Sequence, residues 1–289
     1  MDHFDWIQRH AERTPHKLAL VDAHTGREIT YAQLNERANR FAGYLTDQLG
    51  LQQGDRISIL AKNSADYYEI LFACSKCGVI LNTLNWRLAP PELEYIINDC
   101  QPRLLIYEKE FSDTVQILAE AVPIETTLVM DSSSGQVTHY QEALDLGNPE
   151  PYTSHRLGYD DIWAIIYTSG TTGRPKGAQG TYGNFFYNAI GMGQVINLTS
   201  RDTNINVLPT FHIGGLGLYA CPTFHAGGTV VVMRAFEPGA FLELIQTWKA
   251  TVFLLVPSIY LMLEQHPDLD QYDLSSVRSW ASGGSALPA

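Results

Sequence analysis

The residues best suited to chemistry in this chain form one run, Tyr167-Thr168-Ser169-Gly170-Thr171-Thr172-Gly173-Arg174-Pro175-Lys176-Gly177. Its glycines free the backbone to turn and approach a ligand closely. Thr168, Ser169, Thr171 and Thr172 offer hydroxyls, the backbone offers N–H donors, and Lys176 supplies a compact cation, a set suited to polyphosphate oxygens. A Walker A loop would need glycine before the lysine and Ser or Thr after it. Here Pro175 precedes Lys176 and Gly177 follows, so an ordinary P-loop hydrolase is disfavoured. A plain surface turn is the alternative, but it has no need for so many hydroxyls and a lysine gathered around glycines.

Two further stretches could face a ligand. In Leu208-Pro209-Thr210-Phe211-His212-Ile213-Gly214-Gly215, a histidine follows an aromatic residue and precedes glycines that leave room beside it. Taken alone, such a histidine reads as a hydrogen-bonded residue in an apolar loop. In Gly283-Gly284-Ser285-Ala286 small residues end a strand, which is also what a simple turn looks like. Cys74-Ser75-Lys76-Cys77 has redox or half-zinc spacing, yet it falls late in a helix instead of at a helix start, where thiolates are stabilised. It reads as structural, as does His225 beside Gly227-Gly228, and the scattered amino-terminal histidines have no metal-ligand spacing.

The run at residues 167–177 closely resembles the signature loop of the adenylate-forming (AMP-binding) synthetases, which include acyl-CoA synthetases, luciferases and peptide-synthetase adenylation domains. Thr30-Tyr31-Ala32-Gln33-Leu34, Gly54-Asp55-Arg56, the His212 stretch and Gly283-Gly284-Ser285-Ala286-Leu287 resemble the same family in the same order, so the resemblance covers essentially the whole chain. It implies a layered α/β fold with mostly parallel sheets, as in the N-terminal domain of acyl-CoA synthetases. The implied reaction joins a carboxylate to ATP, giving an acyl-adenylate and pyrophosphate, after which a thiol, usually that of CoA, captures the acyl group. The resemblance assigns Thr168, Ser169, Gly170, Thr171, Thr172, Gly173 and Lys176 to the β- and γ-phosphates of ATP. His212 would flank the carboxylate, giving His212 and Lys176 catalytic roles. Gly214, Gly215 and Gly284 would border the substrate pocket, and Gly283, Gly284 and Ser285 would lie along adenine.

Members that activate α-amino acids resemble one another in an aspartate near the positions of Phe211 and His212, and this chain has none there. Asn85-Trp86-Arg87-Leu88 with Glu92 and Glu94 looks instead like the acyl- and aryl-CoA synthetase branch, so a fatty or aromatic carboxylate is the expected substrate. The family continues with a magnesium motif, a ribose-binding aspartate, a hinge and a mobile domain with a catalytic lysine. None is found here. Mg2+ ligands are therefore expected beyond Ala289, and the chain is expected to be an incomplete N-terminal portion. The alternative is a non-catalytic nucleotide- or acyl-binding fragment.

Composition sets the outer limits. Across 289 residues, 45% hydrophobic content supports a substantial core, and a formal charge of −12 with dispersed Lys and Arg argues against nucleic acid as a partner. The acidic, aromatic amino terminus is unlike a secretory signal, no apolar run is long enough to span a membrane, and four cysteines suit a reducing cytoplasm. A homodimer is left open.

Hydrophobic periodicity supplies the positioning elements. Strands are predicted over residues 16–22, 56–60, 79–81, 104–107, 127–130, 162–166, 229–233, 251–256 and 277–281. Between them come helices over 30–50, 65–77, 113–121, 184–195, 215–226 and 238–249, with others opened by Pro90-Pro91 and by Pro257. Strand-helix alternation of this kind specifies mostly parallel sheets covered by helices. Turn-rich sequence over 131–151 places a subdomain boundary near residue 155, giving subdomains 1–155 and 156–289. The aromatics Phe185, Phe186, Tyr187 and Trp248 are read as core packing.

Overall fold

The computed structural model describes residues 3–130, 139–151, 157–169 and 174–286. Its strands are β1 (Leu18–Asp22), β2 (Arg27–Thr30), β3 (Arg56–Leu60), β4 (Ile80–Thr83), β5 (Leu104–Glu108) and β6 (Thr126–Met130). They continue with β7 (Ile162–Thr168), β8 (Lys176–Thr181), β9 (Thr203–Asn206), β10 (Thr229–Val232), β11 (Val252–Leu255) and β12 (Ser279–Ser282). These form two six-stranded, mostly parallel sheets, so the expected α/β class is the observed one.

The residues fall into two compact units that interleave along the chain. The first comprises Met1–Gln8, Gln33–Lys62 and Asp66–Phe185, and the second Arg9–Ala32, Asn63–Ala65 and Phe186–Ala289. The expected boundary near residue 155 falls inside the first unit. The reason is strand pairing: β7 lies parallel on β4, with Leu81 opposite Ala164, and β8 folds back antiparallel on β7. Turn-rich composition there marks a connection within a unit, and it contains a helix, His139–Leu146, that periodicity did not show.

In the first unit the strand order is β6-β5-β3-β4-β7-β8. Its central strands are buried on both faces, with Ile57, Ile59, Leu81, Leu104, Leu105 and Ile106 fully buried, as in a parallel sheet covered on both sides. The helix Ala65–Cys77 spans the predicted residues. The helix Pro90–Cys100 starts with proline, where no N–H is needed, and the Glu92 carboxylate accepts from the Ala89 N–H at 3.0 Å. Leu93, Ile96 and Ile97 on its inner side join Leu60, Leu105 and Leu118 in one apolar cluster.

The second unit has the order β12-β11-β9-β10-β1-β2. Val21, Ile205, Val231, Phe241 and Phe253 form its core. Strands β1 and β2 are antiparallel around a turn in which Gly26 takes φ +74°, and the other pairings are parallel. Strand β9, Thr203-Asn204-Ile205-Asn206, was not read from sequence because its asparagines mask the apolar signal. Asn204 is buried nonetheless, and its amide donates to the Val252 carbonyl at 3.2 Å. With β10 on one side of β9 and β11 on the other, the chain leaves β9 at a topological switch point, the usual place for ligands beyond strand carboxyl ends.

Candidate functional site

In the first unit the candidate phosphate loop joins β7 to β8. The hairpin register sets Thr168 opposite Lys176 and Tyr167 opposite Gly177. Thr168, Ser169 and Lys176 are exposed at the carboxyl end of β7, so two hydroxyls and an ammonium face solvent at that sheet edge. Gly170, Thr171, Thr172 and Gly173 lie outside the described residues.

The flanks of this hairpin are held from beside it. The Tyr167 hydroxyl donates to an Asp99 carboxylate oxygen at 2.6 Å, and the Arg174 guanidinium sits 5.8 Å from the centre of the Tyr95 ring. Burial and then the Asp99 bond push the Tyr167 phenol well above its usual pKa, so it remains protonated and able to donate. A Cβ on Gly177 would come within 3.1 Å of the Tyr167 ring and 2.9 Å of the Ile165 side chain. Glycine follows Lys176 because the Tyr167 ring occupies that space.

In the second unit, His212 lies in the segment leaving β9. Its side chain is exposed, and Nδ1 accepts from the Gly214 N–H at 3.1 Å. In the neutral ring the proton is therefore on Nε2, leaving that edge as a donor. The His212 carbonyl accepts from Gly215 and Leu216 at 3.1 and 2.9 Å, opening a π-helical turn, Gly214–Leu218, where a longer α-helix was expected. A Cβ at Gly215 would lie 2.2 Å from the Leu208 carbonyl oxygen and 2.3 Å from that of Pro209. Close backbone approach is what requires glycine there.

The same sheet edge carries the segment after β12. The Gly283 N–H donates to the Leu255 carbonyl at 3.0 Å, Gly284 takes φ +83°, and Ser285 is exposed. Tyr260 donates to the Ala281 carbonyl at 2.8 Å and steadies the strand end. Strands β9, β11 and β12 run parallel, so His212, Gly214 and Gly215 share the carboxyl edge of this sheet with Gly283, Gly284 and Ser285.

Residue types alone did not reveal the side chain that fixes the His212 segment. Asn63 is buried, with Nδ2 donating to the carbonyls of Leu208 and Met233 at 2.9 and 3.1 Å and Oδ1 accepting from the Thr210 N–H at 2.8 Å. Its position before the helix Ala65–Cys77 suggests only a cap. The cap is instead supplied in part by Asp22, which accepts from the Ala65 N–H at 2.9 Å.

The remaining titratable candidates are structural. Cys74 and Cys77 are fully buried, and burial pushes the Cys77 thiol up to about 12 and Cys74 well above its ordinary value, the opposite of a reactive thiolate. Burial lowers His225 to about 4, and its carbonyl accepts from His10 Nε2 at 2.9 Å. Phe185 is buried against Trp163 as expected, whereas Tyr187 is 62% exposed, a correction to the core reading of that aromatic run. Among the described residues no group of three or more His, Cys, Asp or Glu could hold a metal ion. No helix among them is long and apolar enough to cross a membrane.

Residues 7–289 match the profile of the family described as AMP-binding enzyme. A feruloyl-CoA synthase from Amycolatopsis sp is 36% identical over 284 residues, covering 98% of this chain and 54% of the relative. The N-terminal domain of FACL13 from Mycobacterium tuberculosis superposes with a TM-score of 0.91 at 28% identity, covering 100% of this chain and 71% of that one. ATP-bound MatB from Rhodopseudomonas palustris superposes with a TM-score of 0.86 at 31% identity, covering 99% and 55%. The chain spans about half the length of the curated relatives it matches.

Proposed function

Because this chain belongs to the AMP-binding enzyme family, we propose that it serves the ATP-dependent activation of a fatty or aromatic carboxylic acid, first to an acyl-adenylate and then to an acyl-CoA thioester. The observation that carries this reading is the β7–β8 hairpin, which presents Thr168, Ser169 and Lys176 together at the carboxyl edge of a parallel sheet. Feruloyl-CoA synthase as a relative supports an aromatic acid, and the ATP-bound homologue supports ATP as the nucleotide.

In this reading the residues work electrostatically. Pyrophosphate is the leaving group, and the Thr168 and Ser169 hydroxyls with the Lys176 ammonium would offset its charge as the bond to the α-phosphate breaks. His212, donating through Nε2, orients the attacking carboxylate and offsets charge near the α-phosphate. No general base is needed, since a carboxylate is already ionised at neutral pH. Gly283, Gly284 and Ser285 offer a wall low enough for a flat base to lie against. Mg2+ would accompany ATP and neutralise phosphate charge, and no residue of this chain is assigned to it.

The test is carboxylate-dependent ATP–pyrophosphate exchange across a panel of aliphatic and aromatic acids, with Lys176→Ala as the control. Exchange that rises with one acid class and falls at least tenfold in the variant, with the unfolding midpoint unchanged, is the expected result. Loss of folding in parallel with activity would reduce Lys176 to a structural role. A second reading is that the chain binds nucleotide or acyl group without turnover. ATP binding without exchange would select it.

A further inference from the structure

The helix Pro90–Cys100 presents Tyr95 and Asp99 four residues apart, hence on one face. Both reach the hairpin that bears the candidate phosphate-binding residues, one at each flank. Asp99 takes the Tyr167 hydroxyl at 2.6 Å just before Thr168, and the Tyr95 ring lies 5.8 Å from the Arg174 guanidinium just before Pro175 and Lys176. We propose that Asp99, acting through Tyr167, is a positioning residue that sets Thr168, Ser169 and Lys176 for polyphosphate, with Tyr95 steadying the opposite flank through Arg174. This rests on the ATP-binding reading above.

The geometry makes the arrangement specific. Tyr167 crosses directly over Gly177, its partner in the register, so the ring is sandwiched between the hairpin and the helix. Tyr167 and Tyr95 both pack on the apolar cluster containing Leu93, Ile96 and Ile97, which fixes the helix as a rigid support. Asp99 itself is exposed, and nothing in core packing calls for a carboxylate there. A carboxylate beside a phosphate site would repel the ligand if its charge were the point. Its value lies in accepting a short bond from Tyr167, which fixes the strand end from which Thr168 projects.

The experiment is calorimetric titration of the 289-residue chain with ATP and separately with AMP, for wild type, Asp99→Ala, Tyr167→Phe, the double variant and Asp99→Asn. Loss of the bond is expected to weaken ATP about fivefold in either single variant, with the double variant no weaker than the singles. Asp99→Asn keeps an oxygen that can accept from Tyr167 and is expected to stay near wild type. AMP lacks the β- and γ-phosphates, so its affinity should not move, whereas general damage to the fold would weaken both nucleotides. Unchanged ATP affinity in Asp99→Ala and Tyr167→Phe overturns the proposal, as does tighter ATP binding in Asp99→Ala and Asp99→Asn alike, which would reveal simple charge repulsion. A wild-type chain that binds ATP no better than AMP removes the functional reading and this inference with it, so the wild-type titration separates the two failures.

Discussion

Asn63 holds Thr210 twice, its Oδ1 accepting from the Thr210 N–H at 2.8 Å and from the Thr210 hydroxyl at 3.1 Å. The same side chain donates to the Leu208 and Met233 carbonyls, so one amide joins the exits of β9 and β10. All of these groups are shielded from water, which makes each bond expensive to lose. Asn63→Ala is expected to cost about 3 kcal/mol or more, because it orphans a buried N–H and two carbonyls. Asn63→Asp should not rescue it, since a carboxylate cannot donate to Leu208 and Met233 and would be a buried unpaired charge. Urea unfolding of the three proteins checks both statements, and a near-wild-type Asp variant would show that the two donated bonds contribute little.

His212 offers the contrasting case. It is exposed and makes one described side-chain bond, to the Gly214 N–H. His212→Ala is therefore expected to change stability by no more than about 1 kcal/mol. If the histidine orients a carboxylate, the same variant should lower carboxylate-dependent exchange by about tenfold to a hundredfold while ATP affinity changes little. Paired activity and thermal-melt measurements separate the roles, and a melt that falls as far as activity would assign His212 to the loop's folding.

How far these features were legible in the sequence depended on how local their cause was. The helix Ala65–Cys77 was read to the residue because its apolar spacing and the glycine after it are contiguous signals. The hydroxyl-rich run between β7 and β8 stood out in the sequence because its residue types are concentrated in one stretch. Strand β9 was missed because its asparagines are polar in sequence yet buried, and the bond that the Asn204 amide donates goes to another strand, at the Val252 carbonyl. Asn63 was missed for a stronger version of that reason: its partner Leu208 is 145 residues away. The helix Trp6–Arg13 also went unread, since only Trp6 and Ile7 are buried and no longer apolar stripe announces it. Local periodicity names elements, while the polar bonds that hold candidate site segments in place are set by tertiary neighbours.

Acid should weaken the fold through buried histidines. Burial holds His3 at about 4 against an ordinary 6.5, with Asp5 opposing the shift and Lys76 adding to it, and its ring lies 4.4 Å from that of Tyr182, tilted by 42°. His225, in the other unit, is likewise held at about 4 by burial. Both pKa values are depressed on folding, so between about 6.5 and 4 the unfolded chain binds protons that the folded chain refuses. Stability is expected to be flat above about 6.5 for these groups and to fall as pH drops toward 4. His3→Phe should flatten part of that slope, which unfolding midpoints measured from pH 7 to pH 4 would reveal. An unchanged slope in His3→Phe would mean that carboxylates, not this histidine, set the acid limit.

The two glycines after His212 should respond differently to the same substitution. At Gly215 a Cβ would fall 2.2 and 2.3 Å from two backbone carbonyl oxygens, and backbone cannot swing aside as a side chain can. At Gly214 the nearest atoms are His212 Nδ1 at 3.2 Å and a Leu208 methyl at 3.3 Å, both on side chains that can yield by a few tenths of an ångström. Gly215→Ala is therefore expected to destabilise by about 3 kcal/mol or more, and Gly214→Ala by about 1 kcal/mol or less. Gly214→Ala should instead disturb function, because yielding there means moving the His212 ring off its bond to the Gly214 N–H. Thermal melts of the pair, read beside exchange activity for Gly214→Ala, test the distinction. Equal melts for the two variants would mean that the backbone at residues 208–209 gives way more readily than its bonds to Asn63 imply.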